Sequence, residues 1–180
     1  MILHKDVEKI LLSEEEIQEA VVRIAKQIDE DYKGKEIVLV GLLKGSVVFM
    51  ADLLKHITTP CRIDFMCVSS YGASTKSSGR VNILKDLSQP ITDADVIIVE
   101  DIIDSGNTMA FIKQYFAAKN AHSVKICTML SKPSRRETEV DLDYVGYEVP
   151  DEFVVGYGLD YAEHYRNLSY IGVLKPSVYS

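Results

Sequence analysis

Apolar and polar positions fall in blocks along the chain whose period switches between helical and extended. Ile17, Val21, Ile24 and Ile28 recur at helical spacing. Ser13 and Glu16 form a capping box just ahead of them, and Gly34 suits the end of the predicted helix. Residues 36–43 (EIVLVGLL) are a nearly continuous apolar run, as in a strand covered on both faces. Lys44, Gly45 and Ser46 make a tight turn, after which Val47, Met50, Ala51, Leu54 and Ile57 resume helical spacing.

Residues 61–71 (CRIDFMCVSSY) alternate as a strand, and residues 81–87 (VNILKDL) read as its return in a long hairpin. Between them, residues 72–80 (GASTKSSGR) are small and polar, the composition of a mobile loop. Residues 96–100 (VIIVE) are the clearest central strand. Met109, Ile112 and Phe116 mark a helix, and residues 123–130 (SVKICTML) a further strand. Strand, turn, helix and strand make a βαβ unit, which predicts the α/β class with a mainly parallel sheet flanked by helices. The last segments, DYVGYEV, FVVGY and YIGVLKP, are β-rich. No internal repeat or interdomain linker breaks the pattern, so residues 1–180 are expected to form a single domain.

Composition narrows the function classes. The chain of 180 residues is 47% hydrophobic and 26% charged, ordinary for a globular protein. No tract approaches the roughly 20 apolar residues of a membrane span. The N-terminus is charged from its fourth residue, unlike a secretory leader, so a cytoplasmic protein with no membrane partner is expected. A formal charge of −7 disfavours nonspecific nucleic-acid binding. It leaves room for a phosphorylated small substrate, because metal ions bridge acids to phosphates. Cys61, Cys67 and Cys127 form no CxxC pair and are expected as reduced, mostly buried thiols. His4, His56, His122 and His164 are scattered and make no histidine metal motif.

The chemistry concentrates in VIIVEDIIDSGNTM, residues 96–109. Ligands of open parallel sheets bind beyond the carboxyl ends of strands. Ser105, Gly106, Asn107 and Thr108 lead from such an end into a helix, whose first N–H groups lack internal partners and attract anions. Gly106 permits close approach to a phosphate, and Ser105 and Thr108 add hydroxyl donors. The stretch is neither GxxxxGK[ST] nor GxGxxG, so triphosphate hydrolysis and dinucleotide binding lose their usual support. Ionised Glu100 and Asp101 are acceptors only, and a carboxylate pair matches the adjacent hydroxyls of a ribose. Asp104 is placed to act as a general base or to stabilise positive charge. Two acids alone would equally suit a cation or a capping role; with Asp104 and SGNT added, a ribose-phosphate site is the better account.

This stretch resembles the 5-phosphoribosyl-1-pyrophosphate signature of the type I phosphoribosyltransferases. The surrounding chain resembles the hypoxanthine-guanine phosphoribosyltransferase family through LVGLLKGSVVFMADL, SSYGASTKSSGRVNILKDL, SKPSRR and DEFVVGYGLDYAEHYRNLSYIGVLKP. The resemblance implies the type I phosphoribosyltransferase fold, with a small β-rich hood from about residues 150–180 plus N-terminal residues. It implies transfer of a phosphoribosyl group from 5-phosphoribosyl-1-pyrophosphate to hypoxanthine or guanine, giving IMP or GMP and pyrophosphate, with Mg²⁺. Carried over by position, Glu100 and Asp101 hold the ribose hydroxyls, Asp104 to Thr108 surround the 5′-phosphate, and Asp104 is the general base. Lys132 donates to the purine 6-oxo group, Phe153 stacks on the base, and the Val154 backbone meets its edge. Asp160 joins Glu100 and Asp101 in holding the metal. Lys44, Gly45 and Arg166 bind pyrophosphate, with a non-proline cis peptide often found at the pair matching Leu43-Lys44. Ser70 and Tyr71 belong to a closing lid. A homo-oligomer, dimer or tetramer, is implied too. A donor-sensing regulatory protein of the same fold and a xanthine-preferring or pyrimidine-specific transferase stay open as alternatives; the acidic charge and the absence of an appended DNA-binding domain weigh against the first.

Overall fold

The structure, a computed structural model, describes residues 4–70 and 81–180, apart from the side chain of Ser70. Strand β1 (Val7–Leu12) leads into helix α1 (Glu14–Asp31), which starts on the Ser13–Glu16 capping box. Then follow β2 (Ile37–Leu43), α2 (Val47–His56), β3 (Cys61–Ser70) and β4 (Val81–Lys85). Next come β5 (Asp95–Ile103), α3 (Asn107–Ala118), β6 (Ser123–Ser131) and β7 (Tyr144–Glu148). The chain closes with β8 (Val154–Val155), β9 (Ile171–Leu174) and the short helix α4 (Pro176–Tyr179).

Six strands form the central sheet in the order β4-β3-β2-β5-β6-β7. Only β3 and β4 pair antiparallel; every other neighbouring pair is parallel. Strands β2 and β5 are apolar on both faces because both faces are covered. Ile37, Leu39, Ile97 and Val99 pack with α1 and α2, whereas Val38, Val40, Ile98 and Val96 pack with Met109, Ile112 and Phe116 of α3. The β2–α2–β3 and β5–α3–β6 crossovers therefore run to opposite sides of the β2–β5 pair and cover opposite faces. That pair is the topological switch point, where an open α/β sheet offers a crevice at its carboxyl edge.

A second, three-stranded antiparallel sheet joins β1, β9 and β8 in that order. It buries Val7, Val155, Tyr170 and Leu174 in a small core of their own. Among the described residues, no helix is long and apolar enough to cross a membrane.

Three elements differ from their sequence reading. Helix α2 buries Phe49, Met50 and Leu53, while Val47 is 43% exposed and Ala51 is on the surface. Apolar residues run almost all round this helix, so spacing alone selects no face. Strand β5 runs past Glu100 to Ile103, because Ile102 and Ile103 still pair with Leu130 and Ser131. Strand β8 is only two residues long, stopped by Gly156 and Tyr157, both at positive φ.

Candidate active site

Two loops meet at the switch point. The first leaves β5 as Asp104, Ser105 and Gly106 and enters α3 at Asn107. Gly106 adopts φ +83°, and a Cβ there would run into the Thr138 carbonyl oxygen. The position demands glycine for its conformation and for its packing. A cavity of about 250 Å³ opens over this loop, lined among others by Glu100, Asp104, Ser105, Gly106 and Thr108. The N-terminus of α3 faces it, which makes it an anion cradle. Asn107 does not line the cavity: its side chain donates to Glu137 Oε2 at 2.7 Å and accepts from Thr138 Oγ1 at 2.5 Å. Its amide is committed to holding the loop.

Because β5 extends through Glu100 and Asp101, the two acids leave the strand on opposite faces. They are not the side-by-side pair that the sequence suggested. Glu100 lines the cavity, whereas Asp101 meets Gly45, where a Cβ would collide with its carboxylate. Burial pushes the Glu100 carboxyl well above its ordinary range, and the Asp101 charge adds to the effect. Burial also lifts Asp101 to about 6, against the pull of backbone N–H donors and of Arg166, while Asp160 pushes it up further.

The second loop carries Lys44 and Gly45 from the end of β2, and the Leu43-Lys44 peptide is cis. Gly45 packs against Gly158, whose carbonyl accepts from Arg166 Nη1 at 2.7 Å. Arg166 Nη2 lies 2.9 Å from Asp160 Oδ1 and 3.6 Å from Glu163 Oε1. Lys44 Nζ lies 2.9 Å from the other oxygen of Glu163. Lys44, Gly45, Asp160 and Arg166 thus come together, but Asp160 has both oxygens engaged, the second by the Glu163 N–H at 2.9 Å. Glu163 had no signal of its own in the sequence. The loop that bears it holds three non-glycine residues at positive φ: Ala162, Glu163 and Tyr165. Such conformations gather at functional sites.

Lys132 follows β6 and is only 6% exposed. Its ammonium donates to the Glu152 carbonyl at 2.8 Å and lies 3.9 Å from both Asp104 Oδ1 and Asp151 Oδ1. Phe153 is 37% exposed, stacked on Tyr179 at 4.9 Å and edge-on to Tyr161 at 5.4 Å. One ring face is therefore taken by α4. Val154 is buried in β8, an edge strand, so its outward backbone groups have no strand partner among the described residues. Ser70 ends β3; Tyr71 and the loop at 72–80 lie outside the described residues.

Arg136, inside SKPSRR, likewise carries no signal of its own in the sequence. Its Nη1 donates to the Asp104 carbonyl at 2.9 Å and its Nη2 to Ser131 Oγ at 2.8 Å.

Among the described residues, no three His, Cys, Asp or Glu side chains converge to enclose a metal. Mg²⁺ is commonly held by only one or two carboxylates, with water and substrate oxygens completing its shell. Glu100 and Asp101 fit that mode: both are held above their ordinary range, and Glu100 Oε2 is buried with no hydrogen-bond partner among the described residues.

An anion cradle at the switch point, flanked by buried acids and a cation loop, defines a phosphate-ester-binding α/β protein. Residues 9–162 match the family model of the phosphoribosyl transferase domain. The chain is 55% identical over 174 residues to the hypoxanthine-guanine phosphoribosyltransferase of Bacillus subtilis, covering 97% of each chain. A crystal structure of hypoxanthine phosphoribosyltransferase from Staphylococcus aureus superimposes with a TM-score of 0.95 at 51% identity, covering 98% of this chain and 96% of that one. The chain is also 51% identical over 178 residues to the bifunctional protein TilS/HprT of Listeria monocytogenes, but spans only 28% of that relative's length. This chain belongs to the type I phosphoribosyltransferase family and, within it, to the hypoxanthine-guanine phosphoribosyltransferases.

Proposed function

We propose that this chain is a cytoplasmic, Mg²⁺-dependent purine salvage enzyme. It transfers the phosphoribosyl group of 5-phosphoribosyl-1-pyrophosphate to hypoxanthine or guanine and releases pyrophosphate. The observation that carries this reading is the meeting of Asp104 and Lys132, 3.9 Å apart at the mouth of the anion cradle. A base seated there finds an acceptor for a ring N–H and a fixed donor for a 6-oxo group. The 6-amino group of adenine has no use for that donor, so oxopurines are preferred.

Ser105, Gly106 and Thr108 with the α3 N-terminus hold the 5′-phosphate, and the Asn107 side chain braces their loop. Glu100 and Asp101 grip the ribose from two sides. As the anomeric bond to pyrophosphate breaks, positive charge grows on the ribose and negative charge on the leaving group. Lys44, Gly45 and Arg166 stabilise the latter. Asp104 takes or shares the proton of the purine seven-position nitrogen, which makes the opposite ring nitrogen the stronger nucleophile. Phe153 stacks on the base, and the outward edge of Val154 reads the base rim. Mg²⁺, when bound through Glu100, Asp101 or, by way of water, Asp160, supplies further charge to the donor's oxygens. The family likeness extends the proposal to a dimer or tetramer, readable by sedimentation.

The test is purified chain with Mg²⁺, the phosphoribosyl donor and hypoxanthine, guanine, xanthine or adenine in turn, with products identified by mass. Base-dependent release of pyrophosphate with IMP or GMP is expected. Donor binding with no product for any base would indicate a sensor instead.

A further inference from the structure

We propose that Arg136 is a positioning residue for the phosphate end of the donor and product, a role resting on the transferase reading above. Strands β5 and β6 stay in register up to Ile103 and Ser131, and the Lys132 N–H still donates to the Ile103 carbonyl at 2.9 Å. Beyond that point the two chains part, one to Asp104 and the phosphate loop, the other to Lys132 and the base. Arg136 spans the gap with a rigid fork, one prong on the Asp104 carbonyl and one on Ser131 Oγ. A planar guanidinium fixes both acceptors in one plane, which an amine on a flexible stem does not.

The same segment backs the phosphate loop. The N–H groups of Glu137 and Thr138 both donate to the Ser105 carbonyl, at 2.9 and 3.0 Å. A Cβ on Gly106 would lie 3.1 Å from Arg136 Cδ, so the arginine stem runs directly beneath the turn. Arg136 is also free of any ion pair: among the described residues, no carboxylate oxygen lies within 4.0 Å of its guanidinium. The neighbouring Arg135, by contrast, pairs with Asp151 at 3.2 Å. The cavity above holds two acids, Glu100 and Asp104, and no side-chain cation among its lining residues. A phosphate dianion entering between two carboxylates needs a compensating field, and the α3 N-terminus with Arg136 supplies it from below. Arg136 thus has two separable parts, a fork that sets Asp104 against Lys132 and a charge that favours the phosphate.

The experiment compares Arg136→Gln and Arg136→Lys with the unaltered chain. Binding of IMP and of inosine is measured by calorimetry, turnover with donor and base by pyrophosphate release, and folding by thermal melting. Arg136→Gln is expected to weaken IMP about tenfold and to leave inosine within about twofold. Arg136→Lys restores the charge without the fork. It is expected to bring IMP affinity back to within about threefold, while kcat stays about tenfold low. Equal losses of IMP and inosine in Arg136→Gln, or unchanged values for both, would overturn the phosphate role. Full kcat in Arg136→Lys would overturn the fork. If Arg136→Gln melts far below the unaltered chain, Arg136→Lys still judges the fork through kcat, and Arg136→Met, an uncharged stem of similar length, judges the charge, since a structural defect moves IMP and inosine together whereas loss of the charge weakens IMP alone. Failure of the unaltered chain to turn over any base would count against the transferase reading, while the IMP-to-inosine comparison would still judge Arg136.

Discussion

Lys44 and Glu163 form an ion pair across the mouth of the site, Nζ to Oε2 at 2.9 Å, and the second oxygen of Glu163 lies 3.6 Å from Arg166. One carboxylate therefore bridges the two cations that the proposed reaction assigns to pyrophosphate. Both Lys44 and Glu163 have side chains about two-thirds exposed, so the pair is screened and weak. The proposed reaction requires it to open when pyrophosphate arrives. Glu163→Gln should lower the KM for pyrophosphate in the reverse reaction by about two- to fivefold, with the gain fading in high salt. An unchanged or higher KM would mean that Glu163 does not compete for these cations.

Asp104→Asn should reduce kcat by about 10²–10⁴-fold, the usual span of a general base, with donor affinity nearly unaltered. Asn keeps the acceptor geometry and loses the basicity. The backbone carbonyl that receives Arg136 is untouched, so the loop keeps its place. Steady-state kinetics beside donor titration checks this, and full turnover in the variant removes Asp104 as the base.

Lys132→Ala should raise the KM for the oxopurine at least tenfold and that for the donor little. The buried ammonium also satisfies the Glu152 carbonyl at 2.8 Å, so the variant should be less stable by about 1–3 kcal/mol. Equal weakening of base and donor would argue against a recognition role.

Asp101 carries a pH signature in the metal-free, ligand-free protein. Burial raises its folded pKa from 3.8 to about 6. Between those values the folded chain binds more protons than the unfolded one, so stability falls as pH rises through this window. Asp101→Asn should therefore be more stable than the unaltered chain at pH 8, by the order of 1–3 kcal/mol, with the difference vanishing towards pH 4. Melting curves across that range decide it; a variant less stable at pH 8 would mean that the carboxylate is not held at a cost.

Much of this architecture was legible in the residues. Continuous apolar runs gave β2 and β5, and helical spacing gave the faces of α1 and α3, because each element buries a pattern of fixed period. The rotation of α2 was hidden, since Phe49 and Leu53 are no more apolar than Val47 and Leu54. The parting of Glu100 from Asp101 was hidden by a strand end that depends on pairing with β6. Motif likeness pointed to the residues that the proposed reaction sets against its substrates. It did not find Arg136 and Glu163, which act on other residues of the site, because such roles exist only once distant segments are packed together.

The sheet of β1, β9 and β8 ties residues 7–12 to residues 171–174, so its middle strand follows every strand of the central sheet in the sequence. A growing polypeptide can assemble the β5–α3–β6 cradle well before β9 leaves the ribosome. During that interval β1 and β8 would lack the strand that lies between them, so the small sheet can close only once β9 has joined residues made far earlier.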